Sequence, residues 1–270
     1  MSCPVEIISI GNELLIGKIL NTNAQWLSRL ITNLGGNVRR TTTVGDDLEE
    51  IASALNEAIA RKPRFIITTG GLGPTFDDMT VEAVSRALDR PLRLNEQALE
   101  MVRERYRRYE ARTGRRVDLS PARLKMARLP EGGGPLHNPV GTAPGVLIEV
   151  GGVSVVILPG VPEEMEAIFE GSVVPMIRGV AGPLSVYERS LRVTGMGEPE
   201  IAPLIERTMR DNPYVYVKSH PRRARPTPWI ELHLMTTSDS EADAKVIVER
   251  AVEEVTRLIH LEGAEGGGCP

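Results

Sequence analysis

A glycine-rich stretch followed by two aspartates is the part of this sequence best suited to chemistry. The apolar, β-branched run at 65–69 predicts a strand that is buried on both faces. The three glycines within 70–73 let the backbone turn sharply and approach a ligand, and the free N–H groups of the helix that follows favour an anion such as phosphate. Asp77 and Asp78 would repel a phosphate on its own, a conflict that a bridging cation such as Mg²⁺ would remove. The alternative is a tight turn whose aspartates only favour the helix dipole, and this stretch alone leaves both interpretations open.

A second acidic pair follows another predicted strand at 38–44. Asp47 and Glu50 have the spacing of a capping box, which favours a structural role for Asp47. Capping does not account for Asp46, which lies just past the strand end. Because open parallel sheets bind ligands at the carboxyl ends of their strands, we expect Asp46 and Asp78 to reach the same crevice.

Two further loops have the composition of a stiff ligand-binding wall. The segment 138–145 contains two prolines and two glycines, which predicts an irregular loop with exposed N–H groups. The segment 159–162 leads into a helix that begins at Glu163, and its proline suits a first helical turn. Lys18 and Lys125 are candidates for adding positive charge to a phosphate site.

The elements that must position these residues alternate between strand and helix along the first two thirds of the chain. This alternation predicts a three-layer α/β/α domain with a mostly parallel sheet. Predicted strands lie at 5–10, 38–44 and 65–69, and predicted helices at 22–34, 47–61, 81–88 (capped by Thr80), 95–112, 122–127 and 163–169. A hairpin is predicted from 146–150 and 153–158, joined by Gly151 and Gly152. The helix at 22–34 is expected to be capped by Thr22 or Asn23.

The pattern changes after a predicted linker at 179–183. A small β-α-β-β-α unit is predicted from strands at 187–194, 214–218 and 229–236 and helices at 198–210 and 240–259. The expected organisation is a first domain at 1–178, a second at 184–262 and a disordered tail at 263–270. His220, Arg222, Arg223 and Arg225 form a basic loop, for which an exposed hairpin tip is favoured over an RNA contact.

Composition excludes several classes of function. The chain has 270 residues and a formal net charge of −4, which gives no electrostatic reason to expect nucleic-acid binding. No apolar run approaches the length of a membrane span, and no basic-then-apolar leader is present. Cys3 and Cys269 have no metal-ligand or redox spacing, so a disulfide is not expected and a cytoplasmic location is predicted.

These stretches together resemble the N-terminal region of the CinA (competence/damage-inducible protein) family, whose fold is shared with MoaB, MogA and gephyrin. The resemblance rests on the motifs at 11–17, 44–47, 69–80, 138–145 and 158–165 and covers residues 5 to about 178. Residues 184–260 resemble, by pattern alone, the KH-like domain that follows in CinA. They lack the GXXG loop of true KH domains, and an RNA-binding role therefore ranks last. CinA proteins continue into a nicotinamide-nucleotide amidase domain, for which this chain leaves no room, so that activity is expected to be absent.

The resemblance implies a small-molecule ligand with a phosphate, either a nucleotide or a pterin. The CinA branch implies a metal-dependent pyrophosphatase acting on ADP-ribose-like nucleotides, and the MoaB/MogA branch implies molybdopterin binding or adenylylation. By matching positions it makes Asp46 and Asp78 the catalytic pair, and together with Asp77 they are the expected ligands of a divalent metal such as Mg²⁺. The expected ligand-binding residues are Gly11, Asn12, Glu13, Thr69, Gly70, Gly71, Leu72, Gly73, Lys125, Asn138, Gly141, Thr142, Ala143, Pro144 and Gly145. A homo-oligomer, dimer or trimer, is also expected.

Overall fold

The computed structural model describes residues 3–182, 184–222, 228–263 and 265–268. They divide into two compact units, the first reaching residue 181 and the second beginning at residue 182 and also including residues 33–35. The strands of the first unit are β1 (Cys3–Ile10), β2 (Gly36–Val44), β3 (Phe65–Thr69), β4 (Leu92–Leu94), β5 (Arg128–Pro130), β6 (Gly134–Leu136), β7 (Gly145–Val150) and β8 (Val153–Leu158). Its helices are α1 (Asn12–Leu15), α2 (Thr22–Asn33), α3 (Leu48–Ala60), α4 (Thr80–Ala87), α5 (Glu96–Thr113), α6 (Pro121–Lys125), α7 (Pro162–Ile168) and α8 (Val174–Ala181).

A six-stranded sheet in the order β2-β1-β3-β8-β7-β6 forms the centre of the first unit. The first four strands of that order are mutually parallel, whereas β7 pairs antiparallel with β8 and β6 pairs antiparallel with β7. All residues of β3 and β8 are buried. The unbroken apolar and β-branched run of β3 predicts its burial, and β8 is apolar except for Ser154. The predicted α/β fold with a mostly parallel sheet is therefore confirmed. The carboxyl ends of β1, β2, β3 and β8 lie at one edge of this sheet, where the candidate site lies.

Helices cover the sheet through apolar stripes. Ile51 of α3, Val84 of α4 and Val102 of α5 join the apolar cluster that also contains Ile8 and Ile66 of the sheet. The helix α8 packs against β1. The separate strands β4 and β5 pair only with each other and were not predicted, because three-residue strands carry too short a pattern to detect.

Three local predictions for the first unit are corrected by the structure. The side chain of Asn21, rather than Thr22 or Asn23, caps α2 by accepting a bond from the Ala24 amide at 3.1 Å. Thr80 is the first residue of α4 and does not cap it. The predicted linker begins too early, because the helical path continues from α7 through a π turn at Phe169–Val173 into α8, which ends at Ala181.

The second unit consists of β9 (Ser185–Thr194), α9 (Glu198–Asp211), β10 (Tyr216–Arg222), β11 (Trp229–Ser238), α10 (Glu241–Leu261) and β12 (Glu265–Gly268). Its antiparallel sheet has the order β10-β11-β9-β12. The prediction that the tail is disordered is wrong for residues 265–268, which pair with β9 through backbone hydrogen bonds that need no side chains. The predicted basic loop is wrong for His220 and Arg222, which belong to β10, and its Arg223 and Arg225 lie outside the described residues. No described helix has the length and apolar character required to cross a lipid bilayer.

Candidate functional site

A crevice of about 500 Å³ opens at the carboxyl ends of the parallel strands. Loops that follow β1, β2, β3 and β8 contribute to its walls, as does the loop before β7. Of the residues predicted for the site, the crevice is lined by Gly11, Glu13, Asp46, Gly70, Gly71, Leu72, Gly73, Asp77, Asp78, Thr142 and Ala143. The structure thus brings Asp46 and Asp78 to one cavity, together with the glycine turn.

The glycine turn is held rigidly between two strands and a helix. Gly70 has a φ of 113°, and a Cβ at this position would collide with the carbonyl oxygen of Ile10. Its amide donates to the Leu158 carbonyl at 3.0 Å. The Thr80 hydroxyl donates to the Gly70 carbonyl at 2.8 Å, and the Thr80 amide donates to the Gly71 carbonyl at 3.2 Å. Thr80, the first residue of α4, therefore holds the turn in place, and this is its role instead of the predicted helix cap.

Thr75 orients both aspartates of the turn. Its amide donates to Asp78 Oδ2 at 2.8 Å, and its hydroxyl contacts the carboxylates of Asp77 and Asp78. Lys125 Nζ in turn donates to the Thr75 carbonyl at 2.6 Å. The hydrogen bond from Thr75 lowers the pKa of Asp77, and the positive charge of Lys125 acts in the same direction. Asp77 is therefore ionised at neutral pH, and Lys125 positions the loop from outside the crevice.

Asp46 is fixed by a reciprocal pair of hydrogen bonds with Asn12. The Asn12 amide donates to Asp46 Oδ2 at 2.8 Å, and the Asp46 amide donates to Asn12 Oδ1 at 3.3 Å. The neighbouring Asp47 accepts from the amides of Glu49 and Glu50 as the N-cap of α3, as predicted. Asn12 thus joins the loop after β1 to the loop after β2 and orients Asp46, and it does not itself line the crevice.

Asn138 organises the proline-rich loop from within. This residue is only 8% exposed, and its Oδ1 accepts from the Val140 amide at 3.1 Å and from the Gly141 amide at 2.7 Å. Its Nδ2 donates to the Ala143 carbonyl at 2.8 Å and to Glu164 Oε2 at 2.7 Å. A Cβ on Gly141 would overlap the Glu164 carboxylate, so a larger residue here would require that side chain to move away from Asn138. Asn138 and Gly141 therefore shape the wall that Thr142 and Ala143 present to the crevice.

The remaining predicted residues lie away from the crevice. Thr69 is buried, accepts from Asn23 Nδ2 at 2.9 Å and donates to the Pro159 carbonyl at 3.1 Å. Pro144 lines an adjoining cavity, and Gly145 is a buried residue of β7. Lys18 is exposed and does not line the crevice.

Several residues that line the crevice were not among the predicted site residues. They are Ile10, Pro74, Thr75, Tyr106, Met126 and Glu164, and also Pro159, Gly160 and Val161, whose loop was predicted as a wall although its residues were not named as ligand-binding. The segment 159–164 belongs to a motif on which the family resemblance rests, so a signal for it was present. Tyr106 lies among the charged residues of α5, which favour a solvated helix face, so the sequence gives no signal that Tyr106 lines the crevice.

The predicted metal ligands do not form a complete metal site without a further ligand. Within the described ranges, no three His, Cys, Asp or Glu side chains converge as a preformed metal cluster. Asp46, Asp77 and Asp78 nevertheless line one crevice with the backbone of the glycine turn. Mg²⁺ usually takes one or two carboxylates together with waters and substrate phosphates, so this donor set fits a cation that is bound jointly with a phosphate.

The protein is an α/β domain whose crevice lies at the carboxyl ends of parallel strands, which is where open α/β sheets generally bind their ligands. Residues 6–179 match the family model "Probable molybdopterin binding domain". A protein of Pyrobaculum calidifontis is 46% identical over 254 residues, which cover 94% of each chain. A protein of Aeropyrum pernix is 45% identical over 258 residues, which cover 95% of this chain and 94% of the relative.

A solved structure is also similar to a large part of this chain. The crystal structure of the protein CinA, with unknown function, from Thermoplasma acidophilum is 43% identical and superposes with a TM-score of 0.59. It covers 65% of this chain and 98% of its own chain. The family match shows that this chain belongs to the molybdopterin-binding domain family.

Proposed function

We propose that the first unit hydrolyses the pyrophosphate bond of an ADP-ribose-like nucleotide with the help of a divalent cation. The observation that supports this proposal is that three aspartates share one crevice with a backbone turn suited to phosphate. Carboxylates on their own would repel a phosphate. A site that only held phosphate would be expected to present cations there, whereas a site that holds a cation and a phosphate together needs carboxylates.

In this proposal the residues of the chain bind and orient the reactants. The backbone amides of 71–73 and of Thr142 and Ala143, which line the crevice, hold the phosphates in place, where fixed dipoles need no reorganisation during the reaction. Asp46 and Asp78 hold the cation, each oriented by the hydrogen bonds described above. The bound cation supplies positive charge against the phosphates and makes water a better nucleophile near neutral pH. The hydrogen bonds of Thr75 and Lys125 hold the loop that carries Asp77 and Asp78 in place beside the glycine turn.

The full-length protein incubated with ADP-ribose and Mg²⁺ or Mn²⁺ tests this proposal. We expect AMP and ribose 5-phosphate in equal amounts, with no turnover when the metal is chelated. Asp78→Asn is expected to fold normally, because an amide oxygen can still accept from the Thr75 amide, and to lose the metal-dependent turnover. Asp89→Asn is the matched control, since Asp89 follows α4 and lines neither the crevice nor the adjoining cavity. Equal ADP-ribose turnover by Asp78→Asn and wild type would contradict the assignment.

A second candidate is a protein that binds molybdopterin, with or without adenylylating it. It is favoured by the family match and by an apolar cavity next to the crevice, since a pterin needs a flat apolar slot with polar edges. Pterin fluorescence in the purified protein distinguishes the two candidates. Co-purified pterin without ADP-ribose turnover supports binding alone, and turnover without pterin supports hydrolysis.

A further inference from the structure

The crevice wall at 159–161 is held by two side chains that do not themselves line the crevice. Asn23, in the first turn of α2, donates from Nδ2 to the Gly160 carbonyl at 2.8 Å and to the Thr69 hydroxyl at 2.9 Å. The Thr69 hydroxyl in turn donates to the Pro159 carbonyl at 3.1 Å. Two successive carbonyls of this wall are therefore turned towards Thr69 and Asn23.

The direction of these carbonyls sets the direction of the amides that follow them. In a trans peptide the carbonyl and the next N–H point in opposite directions, so the Gly160 amide points away from Thr69 and the Val161 amide points away from Asn23. Among the described residues, neither amide donates to another backbone group. Because Gly160 and Val161 both line the crevice, these two N–H groups are available to a ligand there.

The same wall packs directly against the glycine turn. The position that a Cβ on Gly160 would occupy lies 3.4 Å from the Gly70 Cα, so the two backbones are in contact. The Gly70 amide also donates to the carbonyl of Leu158, the residue before the wall, at 3.0 Å. A shift of the wall would therefore disturb the turn that leads to Asp77 and Asp78.

The helix that carries Asn23 is anchored independently of these hydrogen bonds. Asn21 caps α2, Leu27 is fully buried, and the ring of Trp26 meets that of Phe169 edge to face with centroids 5.7 Å apart. Within the part of the chain that the structure describes, Asn23 Oδ1 is buried and has no hydrogen-bond partner. The side chain of Asn23 therefore acts through its two N–H donors, and α2 is expected to remain folded without them.

We propose that Asn23 is a positioning residue of the crevice, which sets, together with Thr69, the direction in which the Gly160 and Val161 amides meet the phosphates of the ligand. The identity of that ligand rests on the proposed function, and the role of Asn23 rests on its hydrogen bonds. Turning the carboxamide round would place Oδ1 against the Gly160 carbonyl oxygen, and two acceptors cannot pair. A donor at this position is therefore required to hold the wall.

Uncharged variants of the full-length chain test this role by calorimetry with inorganic pyrophosphate in the presence of Mg²⁺. Asn23→Leu has a similar size and removes both donors, and Thr69→Val removes the donor to Pro159 and the acceptor for Asn23. We expect each variant to bind pyrophosphate more weakly by about tenfold or more, because the wall amides can then turn away from the ligand. Circular dichroism checks that each variant is folded.

Two further variants separate the hydrogen bonds from general disturbance. Thr69→Ser keeps the hydroxyl and is expected to restore the binding that Thr69→Val loses. Gln25→Leu removes a carboxamide from an exposed position of the same helix and is expected to bind as wild type does, because Gln25 does not line the crevice. Equal losses in Thr69→Ser and Thr69→Val, or unchanged binding by folded Asn23→Leu, would overturn the proposal.

Amide NMR on the wild-type protein gives a measurement that does not depend on a variant folding. Pyrophosphate with Mg²⁺ is expected to shift the amide resonances of Gly160 and Val161, and unchanged resonances at both would contradict the proposal. Wild type that binds pyrophosphate without turning over ADP-ribose would remove the hydrolase assignment and leave the role of Asn23 in place. Turnover of ADP-ribose with unchanged binding by Asn23→Leu would remove the role of Asn23 alone.

Discussion

The carboxylates of the crevice and those of the second unit's sheet are held by different kinds of partner. Asp46 and Asp78 accept hydrogen bonds from backbone amides, and Asp77 accepts one from a threonine hydroxyl. Glu231 of β11 instead forms an ion pair with Arg222 of β10 at 2.6 Å. Both groups are well oriented, but only the second has its charge neutralised by a neighbouring side chain.

This difference shows what the crevice is suited to bind. An amide or hydroxyl donor fixes the direction of a carboxylate and leaves its net negative charge in place. Among the described residues, none of the crevice aspartates forms an ion pair with a lysine, arginine or histidine. Three oriented negative charges beside the glycine turn are therefore available to an added cation.

The largest expected effect comes from removing one of these charges. Asp46→Asn keeps an acceptor for the Asn12 amide but removes a negative charge, and we expect turnover of ADP-ribose to fall by about 100-fold or more, as for other groups that stabilise charge in a reaction. Asp47→Asn is the matched neighbour, because asparagine caps a helix as well as aspartate does. The metal dependence of the rate is measured for both variants. Similar losses in both would mean that general disturbance of the loop, rather than the charge of Asp46, lowers the rate.

A smaller effect is expected from moving the backbone that carries the crevice charges. Gly70→Ala places a methyl group against the Ile10 carbonyl at a φ of 113°, and strain of this kind costs about 1–3 kcal/mol. We expect chemical denaturation to show that loss in the free energy of unfolding, accompanied by weaker binding of inorganic pyrophosphate.

The control for this change is Gly179→Ala in α8. Outside the helix itself, no described atom lies within 4 Å of the position that a methyl group on Gly179 would occupy. Alanine in a helix interior is more stable than glycine by about 0.5–1 kcal/mol, so this variant is expected to be at least as stable as wild type. An unfolding free energy of Gly70→Ala that matches wild type would show that the turn relaxes and is not held as described.

Local signals were sufficient to predict the fold and the position of two of the aspartates. The buried strand β3 is a continuous run of apolar and β-branched residues, and the run in β8 is interrupted only by Ser154. Such runs depend only on neighbouring residues. Asp46 and Asp78 each follow a predicted strand, and the rule that parallel strands share a carboxyl edge brings them to one crevice. The cap formed by Asp47 was predicted for the same reason, since capping is local.

Roles that depend on distant partners could not be predicted. The part played by Asn138 requires Glu164, which lies 26 residues later, and that of Lys125 requires Thr75, which lies 50 residues earlier. The strand β12 has no side-chain pattern to detect, because its pairing is made by the backbone of a glycine-rich segment. The apolar cavity next to the crevice is formed in part by short elements whose pairing only the tertiary structure shows.

The smallest effect concerns two carboxyl groups whose pKa values are lowered by different causes. The pKa of Asp77 is held below its ordinary value of 3.8 by the Thr75 hydroxyl, and that of Glu231 is held below 4.5 by Arg222. Because the folded-state pKa is depressed in both cases, each group contributes stability that is present above its ordinary pKa. That contribution is lost as the pH falls through the lowered value.

Titration of the two side-chain carboxyl resonances by NMR separates these causes. Thr75→Val is expected to raise the pKa of Asp77 and leave that of Glu231 unchanged, and Arg222→Gln is expected to do the reverse. Raising the salt concentration should move the pKa of Glu231 more than that of Asp77, because ions screen an exposed charge pair more strongly than a hydrogen bond from a neutral hydroxyl. An equal response to salt would mean that a charge, rather than Thr75, dominates at Asp77, and the contrast between the two regions would then be lost.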